Sequence, residues 1–273
     1  MLRRMIPRLL LKTYNRQYNQ YMKLKVALKN NLISILDQTF AGSNTLFTSR
    51  ARTDGHEKWI DFAAQFWHCD CVRKYSLKRF TEIYNTWCLK AGYNRSAGKA
   101  TEIYQLATSQ VPTLPFDDFT KQLLKQAVEQ LNAISSTLAS IQQKMRALAS
   151  TLPEYPVVLA MNGVGKTLGP QLVAEIGDVR RFLRKQSLIA FAGVDAPPFQ
   201  SGSFEAKDRK ISKRGSSLLR KNSMAEDSVY QFPDRKRAEG KRYYVYMVAG
   251  CNKFLRIYYG RVKEYLDSLS SAA

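Results

Sequence analysis

The sequence predicts a mainly α fold, in which long helices and a coiled-coil-like arm lead into a compact helical domain. Three observations predict it. Residues 9–36 and 119–150 contain neither Gly nor Pro. In both, apolar side chains recur every three or four residues, the period of a helix that buries one face. The last third of the chain breaks into shorter apolar segments separated by Gly and Pro, as in a packed bundle of short helices.

Taken in order, the first helix carries Tyr14, Tyr18, Tyr21, Leu24, Leu28, Leu32 and Ile35 at helical spacing. FAGSNTLFTSRARTDG, residues 40–55, interrupts it, and two or three short helices are expected through Lys90. AGYNRSAGKATE then reads as a loop feeding another helix. VPTLPFDD at 111–118 precedes the arm, where Leu124, Val128, Leu131, Leu138, Ile141, Met145 and Leu148 form a seam. Pro153 and Pro156 end it. The following LPEYPVVLAMNGVGKTLGPQLVAEIGDVRRF reads as two short helices, and two more are expected in SSLLRKNSMAEDSVYQF and RYYVYMVAGCNKFLRIYYGRVKEYL. The expected division is a helical region at 1–110, an arm at 111–152 and a C-terminal domain at 153–273.

The charge narrows the partner. Lys and Arg number 43 against 22 Asp and Glu, a formal net charge of +21 over 273 residues. With 45% hydrophobic residues the chain has apolar area for a core, so the charge decorates a folded body and points to a polyanion. No stretch approaches the roughly 18 consecutive apolar residues of a membrane span, and a cytoplasmic, nucleoid-associated protein is expected. Cys69, Cys71, Cys88 and Cys251 make no disulfide framework. His56, His68 and the Cys69/Cys71 pair lack the two ligand pairs of a structural zinc site, so no metal ligand is assigned.

Two motifs carry chemistry. AMNGVGKT, residues 160–167, fits a loose phosphate loop with Ala160 in place of the first glycine. Such a loop needs a preceding strand and a parallel sheet, for which VVLAM is an isolated candidate, so an NTPase is the third reading. The alternative is a helix-hairpin-helix-like element, in which Gly163, Gly165 and Lys166 offer backbone N–H groups and a cation to a duplex phosphate. A glycine turn that only joins two core helices is the plainer option. The second motif is FQSGSFEAKDRKISKRG, which sets Ser201 just ahead of Lys207, Arg209, Lys210, Lys213 and Arg214, with Arg220 and Lys221 beyond. A serine attacking a phosphodiester needs positioning, charge stabilisation and a proton acceptor. The loop offers the first two. A basic loop that binds phosphate without chemistry is the bland reading.

NGVGKTLGPQLVAEIGDVRRF, LIAFAGVDAPPFQSG, ISKRGSSLLRK and RKRAEGKRYYVYMVAGCNKFLRIYY occur in an order and spacing that resemble the insertion-sequence transposases of the one-hundred-and-ten group, also called bridge-RNA-guided recombinases. The resemblance covers about residues 153–260. It implies a serine transposase domain in which Ser201 forms a phosphoserine link to DNA, Ser203 being the alternative. It implies DNA contacts from the residues above and from Lys241, a structured guide RNA, and a homo-oligomer or full-length transposase partner. Family members also carry an N-terminal RuvC-like domain with a DEDD set of metal-binding carboxylates. None of those can be assigned here, so the chain is expected to correspond to the part after that domain, with Mg2+ only where that domain is supplied elsewhere. A non-catalytic DNA- or RNA-binding protein is the second reading.

Overall fold

The computed structural model describes residues 2–96, 98–196, 200–201, 204–205, 210–224, 238–240 and 242–271. Its fold is mainly α. Helix α1 spans Leu2–Thr39, α2 Lys58–Gln65, α3 Asp70–Arg73, α4 Leu77–Lys90, α5 Lys99–Thr108 and α6 Asp118–Ser150. After it come α7 (Tyr155–Leu159), α8 (Leu168–Ile176), α9 (Lys185–Ala192), α10 (Ser217–Met224) and α11 (Tyr243–Ser271). The described strands are β1 (Gln200–Ser201) and β2 (Phe204–Glu205), an antiparallel pair with Ser201 opposite Phe204. The long helices sit where the apolar period puts them. Helix α1 also runs back through Pro7, which stands near its start and forgoes one helical hydrogen bond.

Two compact units emerge, residues 18–141 and residues 1–17 with 142–273. The first is built round aromatic rings. Phe62 is met by Phe66 at 4.9 Å, Phe47 at 5.1 Å and Trp87 at 5.7 Å between ring centroids. Leu32 and Leu36 of α1, Phe40 just after it, and Leu124, Val128 and Leu131 of α6 close the core. Capping is local: Ser76 accepts the Arg79 N–H, and Asp117 accepts the Thr120 N–H at 2.8 Å. Gly55 has φ +91°, and a Cβ there would lie 2.6 Å from the Ser135 carbonyl oxygen, so the turn at 52–56 accepts only glycine.

The second unit packs α11 against α7, α9 and α10, and α8 against α7 and α10. Phe254, Leu255, Tyr258, Val262 and Leu266 supply the buried stripe of α11. At the start of α1, Arg8 Nη2 reaches the fully buried Glu154 at 2.6 Å, and the Asn15 amide donates to Glu175 at 3.0 Å. A buried carboxylate needs such partners to stay charged.

The two short helices read in this stretch form, and the NTPase alternative loses its candidate strand. VVLAM is no strand: Tyr155–Leu159 is a helix with Pro156 in its first turn, packed on α8 and α11. LIAFAGVD likewise starts inside α9. Pro at the beginning of a helix loses nothing, and tertiary packing overrides the β preference of paired valines. The phosphate loop therefore lacks the strand it requires.

Candidate nucleic-acid interface

The turn between α7 and α8 is shaped by two glycines and one buried anchor. Val164 is 5% exposed, and its N–H returns to the Met161 carbonyl at 3.1 Å. Gly163 takes φ +80°, where a side chain would be strained. Gly169 lets α7 approach α8, since a Cβ there would lie 3.0 Å from Leu159. Gly165 is different: a Cβ there would meet nothing within 4 Å, so this position faces open solvent. Among the described residues, the N–H groups of Gly165, Lys166 and Thr167 find no acceptor. They sit at the positive end of α8.

A cation completes this turn from elsewhere in the sequence. Arg146 on α6 donates through Nε to the Lys166 carbonyl at 3.0 Å, and its Nη2 lies 3.4 Å from Thr167 Oγ1. A phosphate at the turn would meet open N–H groups, the exposed Lys166 side chain and the Arg146 guanidinium together. Sequence reading found Gly163, Gly165 and Lys166 but not Arg146. Twenty residues separate Arg146 from Lys166, and no local pattern links them.

The second element is a basic strap, residues 210–216, laid across the C-terminal end of α9. Gly193 ends α9 at φ +67°, and its carbonyl accepts the Lys213 N–H at 3.1 Å. Ser212 N–H bonds to the Asp195 carbonyl at 2.8 Å, and Ser216 N–H to that of Phe191 at 2.6 Å. The Ser212 hydroxyl adds a bond to the Asp195 carboxylate. Gly215 is pressed so close to α9 that a Cβ would lie 2.0 Å from the Phe191 carbonyl oxygen. Ser216 then caps α10 by accepting the Leu219 N–H at 3.1 Å, and donates to Glu175 on α8 at 2.8 Å.

The pinned backbone turns three cations outward. Lys210, Lys213 and Arg214 are exposed, Lys213 at a left-handed φ of 55°. Arg220 instead turns inward: its Nη1 donates to the Ala192 carbonyl at 3.1 Å and closes the end of α9. Lys207, Arg209, Lys241 and Ser203 lie outside the described residues, as does Gly202. Of Ser201 the structure gives the backbone, in β1 opposite Phe204. Turn and strap attach to opposite ends of α8, at Leu168 and Glu175, roughly 10 Å apart along its axis.

Two nearby arginines outside these elements are committed. Arg181 lies over Phe182 and Phe191 at 4.4 and 4.5 Å, with burial lowering its pKa. Arg180 grips Asp178, whose carboxyl is held below its ordinary pKa chiefly by that hydrogen bond.

Magnesium, which the serine transposase resemblance implies, finds no fit among the described residues. The grouping with metal-ligand potential is His68, Cys69 and Asp70, in the other unit. His68 Nδ1 accepts the Asp70 N–H at 3.1 Å and its Nε2 faces the Leu114 carbonyl at 3.2 Å. Burial raises the Cys69 thiol pKa. An engaged imidazole, a protonated thiol and a single carboxylate do not make the oxygen-rich octahedron that magnesium demands. All four cysteines are buried, and none is in a disulfide.

Residues 155–224, which contain both the turn and the strap, match the family model described as the transposase IS116/IS110/IS902 family, consistent with an IS110-group transposase. No curated protein matches the chain. Among the described residues no helix is long and apolar enough to cross a membrane.

Proposed function

We propose that this chain binds DNA and recombines it through Ser201, in the manner of a serine transposase. The observation that carries the proposal is the transposase match over 155–224, because it spans the turn, the hairpin bearing Ser201 and the strap as one domain. The turn with Arg146 and the outward cations Lys210, Lys213 and Arg214 hold backbone phosphates, a sequence-independent grip that positions the duplex. Ser201 stands on β1 beside Gly202. Its Oγ gives up its proton and bonds to phosphorus as the P–O bond of the cut strand breaks, the departing sugar oxygen takes up a proton and leaves as a hydroxyl, and the phosphoserine link keeps that bond's energy for rejoining to a second strand.

No step is assigned to a metal, since the described residues do not fit one. Carboxylates of a RuvC-like domain, with Mg2+, belong to the proposed complete reaction. A structured guide RNA and further subunits are its proposed partners. A second reading is favoured by the same geometry: the turn and strap can hold phosphate whether or not Ser201 reacts, so a non-catalytic binder would look alike there.

The test is a denaturing gel of the chain with labelled junction DNA, run with and without a RuvC-like domain and Mg2+ in trans. A covalent band is expected in the complemented reaction. It should vanish in Ser201→Ala and persist in Ser203→Ala, while both variants still shift DNA in native gels. A band that survives in Ser201→Ala removes Ser201 from the role, and binding without any band leaves the non-catalytic reading.

A further inference from the structure

The first turn of α11 exposes what a soluble helix ordinarily hides. Tyr243 is 58% exposed, Tyr244 77% and Val245 53%, in a row that also includes the exposed Arg242. The rings are ordered against one another. Tyr243 meets Tyr244 and Tyr246 edge-on, with both centroid separations at 5.3 Å. A cleft of about 660 Å³ opens further along the helix between α11 and α9. Ile189, Val194, Val248 and Ala249 give it an apolar lining, and its polar groups are Gln186, Asn252, Lys253, Arg256 and the Asp195 carboxylate, which already accepts from Ser212. The helical period aligns the two features, because Tyr244, Val248 and Asn252 are four residues apart and share one face.

We propose that this face of α11 receives an unpaired strand of several nucleotides, one base stacked on Tyr244 at the mouth of the cleft and a phosphate further along the strand held by Arg256, about 18 Å away along the helix axis. The inference rests on the nucleic-acid reading above and adds a second mode of contact to it. An apolar lining beside an exposed ring suits the face of a base. The volume lies in the range of small-ligand sites, and polar groups in the lining can meet a base edge. The charge favours a polyanion: the exposed rings are flanked by Arg242 and Arg256 on a chain of charge +21. The occupant is unpaired because a base inside a duplex is stacked on both faces and offers no surface to tyrosine. Duplex backbone belongs to the turn and strap, and a splayed strand to the α9–α11 cleft.

The experiment measures fluorescence anisotropy of labelled decathymidylate, decauridylate and a mixed-sequence duplex at one salt concentration. Tyr244→Ala should weaken single-strand binding about tenfold and leave duplex binding unchanged, and Tyr244→Phe should keep both. Arg256→Ala should weaken single-strand binding as well, and circular dichroism should show each variant as helical as the wild type. The DNA and RNA arms identify the sugar preferred, and a loss in either supports the site. The proposal is overturned if the wild type has no measurable affinity for either single strand, or if Tyr244→Ala lowers single-strand and duplex binding equally or neither. Wild-type duplex binding reports separately on the underlying reading: its absence with single-strand binding intact sinks the duplex grip and leaves the cleft standing.

Discussion

The two units differ in how they hold positive charge. In residues 18–141 several cations are paired internally, while Lys23, Arg50, Lys78, Lys90, Arg95 and Lys121 are exposed. Lys25 and Lys29 converge on Glu57 at 2.9 and 2.6 Å, and Arg79 and Lys99 pair with Glu82 and Glu102. The buried Lys58 donates to the Asn94 carbonyl and lies over Phe47 at 5.1 Å, and Lys74 lies over Tyr75 at 5.2 Å. In the other unit Arg8 and Arg180 are similarly paired, but Lys166, Lys210, Lys213 and Arg214 reach solvent from backbones that hydrogen bonds or tight packing hold in place. Charge that is neutralised internally stabilises a fold. Charge that a rigid backbone holds out, unpaired among the described residues, is available to a polyanion.

The largest effect that could break this comparison is the salt dependence of DNA binding. If the outward cations are the contact surface, affinity for a duplex should fall on the order of a thousandfold between 50 and 200 mM salt, as released counterions return to solution. Lys213→Ala with Arg214→Ala should weaken binding across all sequences and lower the slope of log affinity against log salt by about one for each phosphate no longer neutralised. Lys25→Gln should change neither quantity, because its charge is already spent on Glu57. Equal losses from the two units, measured by anisotropy titration, would end the distinction.

A smaller and sharper contrast lies within the transposase-like unit, between two glycines. Gly215→Ala places a methyl 2.0 Å from the Phe191 carbonyl and must lift the strap from α9, with a stability loss of about 3 kcal/mol in thermal or urea unfolding. Gly165→Ala meets open space and should leave unfolding within about 0.5 kcal/mol of wild type, while lowering DNA affinity severalfold by keeping phosphate away from the N–H groups. A matching stability loss at Gly165 would make the turn a structural joint.

How far these features were legible in the sequence follows from the range of the interactions behind them. Helices α1 and α6 declare themselves because their apolar faces repeat many times, and periodicity averages over local exceptions. Gly163, Gly165 and the strap cations stand out by composition alone. Helix α7 is marked less firmly: it reads as one of two short helices around the glycine turn, yet five residues give no period, and its valines leave VVLAM open as a candidate strand. Arg146 at the turn, and Arg220 turned to Ala192, are set by tertiary contacts that no spacing encodes. Tyr243 and Tyr244 read as part of a helix, and only burial distinguishes an exposed ring from a core one.

The smallest expected effect concerns the paired charge. Burial alone would raise the pKa of Glu57, but hydrogen bonds from Lys29, Lys25 and Trp59 outweigh it and set the carboxyl below its ordinary value of 4.5. The unfolded chain therefore binds this proton more readily than the folded one. Stability from the cluster is complete above the unfolded pKa and is lost as pH falls through the lower folded value. Glu57→Gln should cost about 1 kcal/mol at neutral pH, since the site is half-sheltered and both lysines lose their counterion. As pH falls through the lowered folded pKa, where the wild-type carboxyl also gains a proton, the difference between variant and wild type should shrink. Thermal melts of both proteins from neutral pH down through that acid transition measure the converging gap, and a gap that stayed constant after the carboxyl had titrated would show that Glu57 acts through packing and not through its charge.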